Sequence, residues 1–318
     1  MGVYIARRII QAIIVLIIVF TTVFLGVRLL PGDPILMYYT RTEMQSISPE
    51  RAEILRHQHG LDKSVPVQYI DWVSNLFRGD LGRSIARGDN VTSLIARSLP
   101  ITLYLGLWAF LISLFLGIFV GVISAVRRGR WLDTAATLLA NIGITLPIFW
   151  LGIIMIYFLG LKLMWFPIQG FTSPLNNFWL SIRQTAMPVF CLSVFAVASA
   201  ARQTRSSMLE VIGQDYIRTA MAKGLRERAI ILKHALKNAI IPVITLKGIS
   251  LRELVGGSVI VETVFNIPGM GRLSVEAILD QDYAVIQGVV LIVALVVTFS
   301  NLLVDISYGW LDPRVRYS

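Results

Sequence analysis

Residues 213–238 read GQDYIRTAMAKGLRERAIILKHALKN, and the reading of this stretch decides the fold. It is too polar to enter lipid and too regular to be slack. Ile217, Ala220, Met221 and Leu225 recur at three and four, so an apolar stripe runs along a basic helix. Gly224 then permits a turn, and a second helical stretch is expected from about Glu227 through Leu236. A short helix, a glycine turn and a second helix suit docking in a partner's groove. The same pattern also suits an interfacial helix anchored to anionic lipid.

On both sides of this stretch the chain turns apolar. It has 318 residues, 55% of them hydrophobic and 15% charged, with a mean hydropathy of +0.70. That is the composition of a membrane protein. A spanning helix needs about 20 mostly apolar residues, and six stretches answer to that length: Ile9 to Val27, Ile101 to Val126, Thr134 to Leu161, Gln184 to Ala201, Ile240 to Phe265 and Ala284 to Ile306. The first follows Arg7 and Arg8 as a secretory signal would, yet it is too long and meets Arg28 and the turn Pro31-Gly32-Asp33-Pro34, so it reads as a retained span. Gly117 and Gly121, four apart in the second, are where two helix backbones approach closely. Pro147 predicts a kink in the third. The fourth ends in small residues, Ala196, Ala198, Ser199, Ala200 and Ala201, which favour tight helix contacts.

The formal charge of +10 would suggest nucleic acid on a soluble chain; here it reports cations facing anionic lipid. Six spans with the N-terminus inside put the N-terminus, the Arg127 turn, the loop from Arg202 to Asn238 and the C-terminus in the cytoplasm. Those segments hold 15 Lys and Arg, against three (Lys162, Arg183, Arg272) in the two short outer loops. That is the asymmetry of the positive-inside rule. Residues 31–100 fall outside by parity. Within them a helix start is expected at Ser48, Pro49 and Glu50, and Val67, Ile70, Val73 and Phe77 are set at helical spacing, with Tyr69 and Trp72 suggesting a helix against the membrane interface. The expected organisation is all-α and polytopic: a first transmembrane helix over 1–30, an outer helical insertion over 31–100, and a five-helix core over 101–318 containing the loop 202–238.

The loop also carries a resemblance. Ser206 to Glu210 (SSMLE), Asp215-Tyr216-Ile217-Arg218-Thr219-Ala220, Ala222-Lys223-Gly224 and His234 to Asn238 (HALKN) up to Pro242 are similar to the coupling loop of permease subunits of ABC importers, in particular the dipeptide, oligopeptide and nickel branch. The resemblance spans nearly the whole chain, through Pro31 to Pro34 (PGDP), Gly79 to Gly82 (GDLG), Glu262 to Phe265 (ETVF), Pro268 to Arg272 (PGMGR) and Asn301 to Asp305 (NLLVD). It departs from the commonest importer loop at Arg218-Thr219-Ala220 and in the delay of proline to Pro242, a spelling usual in this branch. A second departure is Asn266-Ile267, where the branch often has an aromatic residue.

The resemblance implies a type I importer membrane domain in the prokaryotic cytoplasmic membrane. It implies pairing with a second homologous permease subunit as a heterodimer, two cytoplasmic ATPases that bind ATP and Mg and push the loop, and an extracytoplasmic substrate-binding protein. Asp215, Tyr216, Arg218, Thr219, Ala220, Ala222, Lys223, Gly224 and Leu225 would be the ATPase-coupling residues, and Glu262, Pro268, Gly269, Gly271 and Arg272 an outer gate or turn. No Gly-x-x-x-x-Gly-Lys-Ser/Thr occurs in the sequence, so ATP hydrolysis is expected on another polypeptide and the chain is not expected to be an enzyme.

Lys247, Arg252 and Glu253 lie within a span, where charges usually face a bundle interior or a cavity. They are candidate pathway residues. Glu253 is about 16 Å along the helix from Pro242, close to mid-membrane, while Lys247 is nearer the cytoplasm. The three are at least about 100° apart around the axis, so they form no single stripe. Either a structural ion pair or contact with a zwitterionic solute fits Arg252 and Glu253, and Lys247 reaching toward the inner headgroups fits equally. Other chemistry lacks support: His57 and His59, two apart, point to different sides; Ser206 and Ser207 have no His-Asp constellation; and Cys191 offers no disulfide, thiol or zinc chemistry. Peptide import is the leading reading, with nickel, glutathione-like peptides or other small solutes left open. From a different class, a stand-alone secondary transporter or channel would show internal repeats and leave the ordered loop unused.

Overall fold

The computed structural model describes residues 2–29, 35, 48–58, 60–250 and 258–311. Helices joined by turns and loops make up their regular structure, with no strand among them. The chain divides into two compact units, residues 1–102 with 268–318, and residues 103–267.

In the first unit, α1 (Gly2–Arg28) contains the apolar window of highest hydropathy and packs along α12 (Tyr283–Leu311). Between them in sequence come α2 (Pro49–Gln58), α3 (Val65–Phe77), the start of α4 (Val91–Val126) and α11 (Met270–Leu279). Helix α3 opens on Val65-Pro66, where proline's missing N–H costs nothing. Its expected stripe behaves differently from an ordinary core face: Val67, Ile70 and Phe77 stay exposed, while Tyr69 and Trp72 pack on Phe20 and Phe24 of α1 and the Tyr69 hydroxyl lies 2.8 Å from Thr21 Oγ1. The aromatic residues expected at the interface therefore fasten α3 to α1, and the aliphatic stripe faces away from the protein. Leu81, Val91, Ile95, Met270, Leu273, Val285 and Val289 form the core of this unit. Asp282 caps α12 through Val285 N–H and, buried, accepts Ser84 Oγ–H at 2.5 Å.

The second unit continues α4 and adds α5 (Trp131–Thr145), α6 (Ile148–Met155, continued by a π-helical turn Ile156–Lys162), α7 (Phe178–Ile212), α8 (Asp215–Ala222), α9 (Leu236–Ser250) and α10 (Val259–Val264). The kink expected at Pro147 is a break. Leu146 is extended (φ −70°, ψ 125°), as a residue before proline prefers, and the two helices meet at a bend of 103°. The fourth span is longer than its apolar run: α7 starts where Asn177 Oδ1 accepts Leu180 N–H and runs through Pro188 to Ile212, so residues 202–212 of the expected loop are helix. Glu227–Ala229 and a π-helical turn Ile230–Ala235 lead without interruption into α9, which merges the second stretch of the loop with the fifth span. Of the rest of that span, residues 251–257 lie outside the described residues, and Val259–Val264 is a short helix that starts after Ser258. Five described helices are long and apolar enough to cross a membrane, or six if α5 and the bent α6 make one span.

Helices α4 and α7 approach at glycine. A Cβ placed on Gly117 would lie 2.4 Å from Ala200 Cβ, and one on Gly121 would lie 2.5 Å from Thr204 Cβ and 2.6 Å from the Ala201 carbonyl oxygen. The small residues of both helices bring the backbones together, as lipid-embedded helices require when no water is there to drive association.

Candidate functional site

Helix α8 begins at Asp215, an acid in the first turn where the helix dipole favours it. Thr219 Oγ1 donates back to the Asp215 carbonyl oxygen at 3.0 Å, and Arg218 lies at the outer limit of pairing with Asp215, 3.5 Å away in the open. The helix stops at Ala222, and Gly224 reverses the chain at φ +73°, a left-handed conformation that glycine adopts without strain. Its N–H donates to the Met221 carbonyl oxygen and that of Leu225 to Ala220. The turn therefore satisfies the last carbonyl groups of a two-turn helix that could not stand alone.

The apolar stripe of this helix splits. Ile217 and Ala220 are buried in one cluster with Ala125 of α4, Met208 of α7, and Ile230, Ala235 and Ala239 of the following helix. Met221, about 40° round the axis from Ile217, is half exposed, as are Tyr216 and Leu225. The stripe expected to dock as one face instead roots the helix with two residues, Ile217 and Ala220, and leaves two, Met221 and Leu225, on an outside surface that Tyr216 joins. Asn238 Nδ2 donates to the Tyr216 hydroxyl at 2.8 Å, tying the exposed end to α9. Asp215, Arg218, Thr219, Ala222 and Lys223 are exposed around these apolar residues. The whole forms a small basic and apolar knob held from behind.

Among the candidate pathway residues, Arg252 and Glu253 lie outside the described residues. Lys247 is 6% exposed; its ammonium donates to Ser113 Oγ at 2.8 Å and to the Ala196 carbonyl oxygen at 3.0 Å. It points into the bundle rather than to headgroups. Beside it lies a cavity of about 120 Å³ lined also by Ser199, Gln203 and Val243. Glu262, fully buried, accepts Ser258 Oγ–H at 2.7 Å, and its carbonyl oxygen accepts Ile267 N–H. Asn266 sits at φ +53°, and its Nδ2 donates to Gln169 Oε1. Asparagine tolerates that left-handed position better than a bulky residue would. In the other unit Pro268, Gly269 and Arg272 line a cavity of about 370 Å³ with Arg87, Ser98 and Glu276; the Glu276 carboxylate is shared by Arg87 and Arg272, and Gly271 is buried.

His57 is exposed and meets Asp62 at 2.7 Å, which holds that carboxyl below its usual range; His59, with Pro31 to Pro34, lies outside the described residues. Cys191 is buried, its thiol donating to Met155 Sδ. Among the described residues no group of three His, Cys, Asp or Glu could hold a metal ion. One cluster escaped the sequence reading altogether. Asp133 is buried and accepts the Arg205 guanidinium on both oxygens, at 2.7 and 2.9 Å. An acid inside the apolar run WLDTAATLLA was the available signal.

A family model described as the inner membrane component of binding-protein-dependent transport systems matches residues 117–317, and one for the N-terminal part of such membrane components matches residues 1–106. A putative peptide transport system permease protein of Brucella abortus is 42% identical over 313 residues, 98% of each chain. The oligopeptide transport system permease protein AppB of Bacillus subtilis is 39% identical, with both chains covered in full. Among solved structures, a chain of the inward-facing MetNI methionine ABC transporter superposes with a TM-score of 0.55 at 22% identity, covering 69% of this chain and 96% of that one. A chain of an amino acid ABC transporter gives 0.50 at 16% identity, covering 70% and 94%.

Proposed function

Because the chain belongs to the family of binding-protein-dependent transport system inner membrane components, we propose that it forms half of the translocation pathway of an ATP-driven importer of di- and oligopeptides. It is a multi-pass membrane protein and not itself an enzyme. The peptide reading is supported by relatives named for peptide transport that match over essentially their whole length. The observation that carries the coupling role is the double-sided α8: Ile217 and Ala220 locked in the core, and Tyr216, Met221 and Leu225 exposed among Asp215, Arg218, Thr219, Lys223 and Gly224.

A helix rooted on one face transmits a push on the other. In this reading the knob faces the cytosol, as do both termini, and seats in a groove of an ATPase subunit. ATP and Mg are bound there; the chain's own residues only receive the movement. A second homologous permease completes the pathway, and a binding protein delivers solute from outside. Lys247, held by Ser113 and Ala196 beside the cavity with Gln203, forms part of the pathway wall, with Arg252 for a peptide carboxylate and Glu253 for its ammonium. Such contacts need only be weak, because a conduit must release what it binds. Glu262 and the turn Pro268, Gly269, Gly271 and Arg272 form the outer gate.

The test is co-purification followed by reconstitution. A tagged chain brings down a second permease and ATPase subunits; Met221→Glu combined with Tyr216→Ala loses the ATPases and keeps the permease. Reconstituted with its partners, the complex takes up radiolabelled dipeptide only with ATP and binding protein, and nickel ion does not replace the dipeptide. Solute flux through the isolated polypeptide without nucleotide would overturn the proposal.

A further inference from the structure

The ion pair of Asp133 and Arg205 lies between the coupling helix and the tight crossing of α4 with α7, and no role described above uses it. Both carboxylate oxygens of Asp133 are saturated. Oδ1 accepts Ser124 Oγ–H at 2.5 Å and Arg205 Nε–H at 2.7 Å; Oδ2 accepts Gly129 N–H at 3.0 Å and Arg205 Nη2–H at 2.9 Å. These donors come from the end of α4, the turn that follows it and the C-terminal part of α7, while Asp133 itself stands in the first turn of α5. One carboxylate thus joins three helices and a turn.

Its neighbours along the chain give the joint a direction. Ser124 precedes Ala125, and Arg205 precedes Met208 by one helical turn; Ala125 and Met208 belong to the buried cluster that holds Ile217 of α8. On the other side, Thr204 and Ala201 meet Gly121 at the close crossing of α4 and α7. The pair therefore sits between the place where α8 is rooted and the place where the two helices have least room to slide. A buried or half-buried ion pair is a poor means of raising stability, because removing charges from water costs much of what their attraction returns; its best attested use is to hold register. Apolar contacts between helices tolerate shear, whereas a forked guanidinium on a carboxylate does not.

We infer that Asp133, held by Arg205, Ser124 and Gly129, is a positioning residue that makes α4, α5 and α7 move together when α8 is displaced, so that ATP hydrolysis is spent on opening the pathway and not on slip between helices. The inference rests on the importer reading above. Loss of the joint leaves the ATPases able to bind and turn over, since the exposed face of α8 is untouched, but lets the helix they push move without carrying the others.

The experiment uses the complete importer, with its partner permease, ATPases and binding protein, in liposomes, and measures dipeptide imported per ATP hydrolysed. Asp133→Asn and Arg205→Gln are expected to lower that ratio about tenfold, with ATP turnover per assembled complex within about twofold of wild type. Arg205→Lys keeps the charge and loses the fork, and should retain more coupling than Arg205→Gln. Ser124→Ala keeps the ion pair and should lose about threefold. A ratio unchanged in Asp133→Asn and Arg205→Gln overturns the inference, as does a loss of uptake that only follows the loss of assembled complex. Should both charge-removing variants fail to assemble, Ser124→Ala decides, and an unchanged ratio there overturns it. A wild-type complex that imports without ATP refutes the importer reading itself, which keeps the two failures apart.

Discussion

Helices α1 and α7 are both long enough to cross a bilayer, yet they solve different problems. The apolar window of α1 has a mean hydropathy of 2.7 and is 6% buried in the protein; that of α7 has 1.6 and is 50% buried. The more hydrophobic helix is the less packed one. In lipid, apolar side chains gain nothing by choosing protein over acyl chains, so Ile9, Ile10, Ile13, Ile14, Ile17 and Ile18 remain on the outside of α1. Helix α7 instead presents small and polar residues, Ser193, Ala198, Ala200, Ala201, Thr204 and Ser207, all buried, and close backbone approach holds it. It carries Arg205, accepts the Lys247 ammonium at Ala196, and contributes Met208 to the core under α8. In this molecule high hydropathy marks the helix left exposed, and the dip in hydropathy marks the helix that organises the second unit.

The comparison can be broken most severely at Gly121. Valine there would drive its side chain into the Ala201 carbonyl oxygen, which cannot rotate away, and is expected to cost about 3 kcal/mol or more and abolish the monodisperse peak in size-exclusion chromatography. Met208→Ala, which empties a fully buried site between α7 and α8, is expected to cost about 2 kcal/mol, read as a lower unfolding temperature in detergent. Lys247→Met replaces a buried ammonium with a side chain of similar length. Folded yield should stay near wild type while dipeptide uptake in the reconstituted complex falls about tenfold, the mark of a pathway role and not a scaffold role. Ile14→Leu on α1 sharpens the contrast from the other side: its effect on stability should stay below about 0.5 kcal/mol, because its neighbours are lipid chains in either form. An effect on α1 as large as that at Met208 would show that a protein partner, not lipid, covers this helix.

The reach of the sequence differed from element to element. The glycine pair 117 and 121 and the small residues of α7 were each legible as a place of close helix approach, because spacing on a helix specifies which residues share a face; that they meet each other, Gly117 at Ala200 and Gly121 at Ala201, came from the fold. The stripe on 217–225 was legible as helix but not as a divided surface, since periodicity does not say how wide the receiving groove is; the core took Ile217 and Ala220 and left Met221 and Leu225 exposed. Pro147 was legible as a fault. Whether proline kinks or breaks a helix depends on what its neighbours pack against, and here Leu146 turned fully extended. Lys247 was legible as a pathway candidate, but a reach toward the inner headgroups fitted as well, because only its distance along the helix was readable; its acceptors, Ser113 and Ala196, come from 134 and 51 residues away in the chain.

Membrane residence, helical class and the turn at Gly224 followed from composition and from patterns no more than about 20 residues long, since hydropathy, periodicity and backbone preference act over that range. Which helix became the hub, which half of each stripe was buried, and where Asp133 found its cation were settled only by folding. Those outcomes depend on residues distant in sequence arriving within 3 Å of one another, and no local pattern encodes the identity of a remote partner.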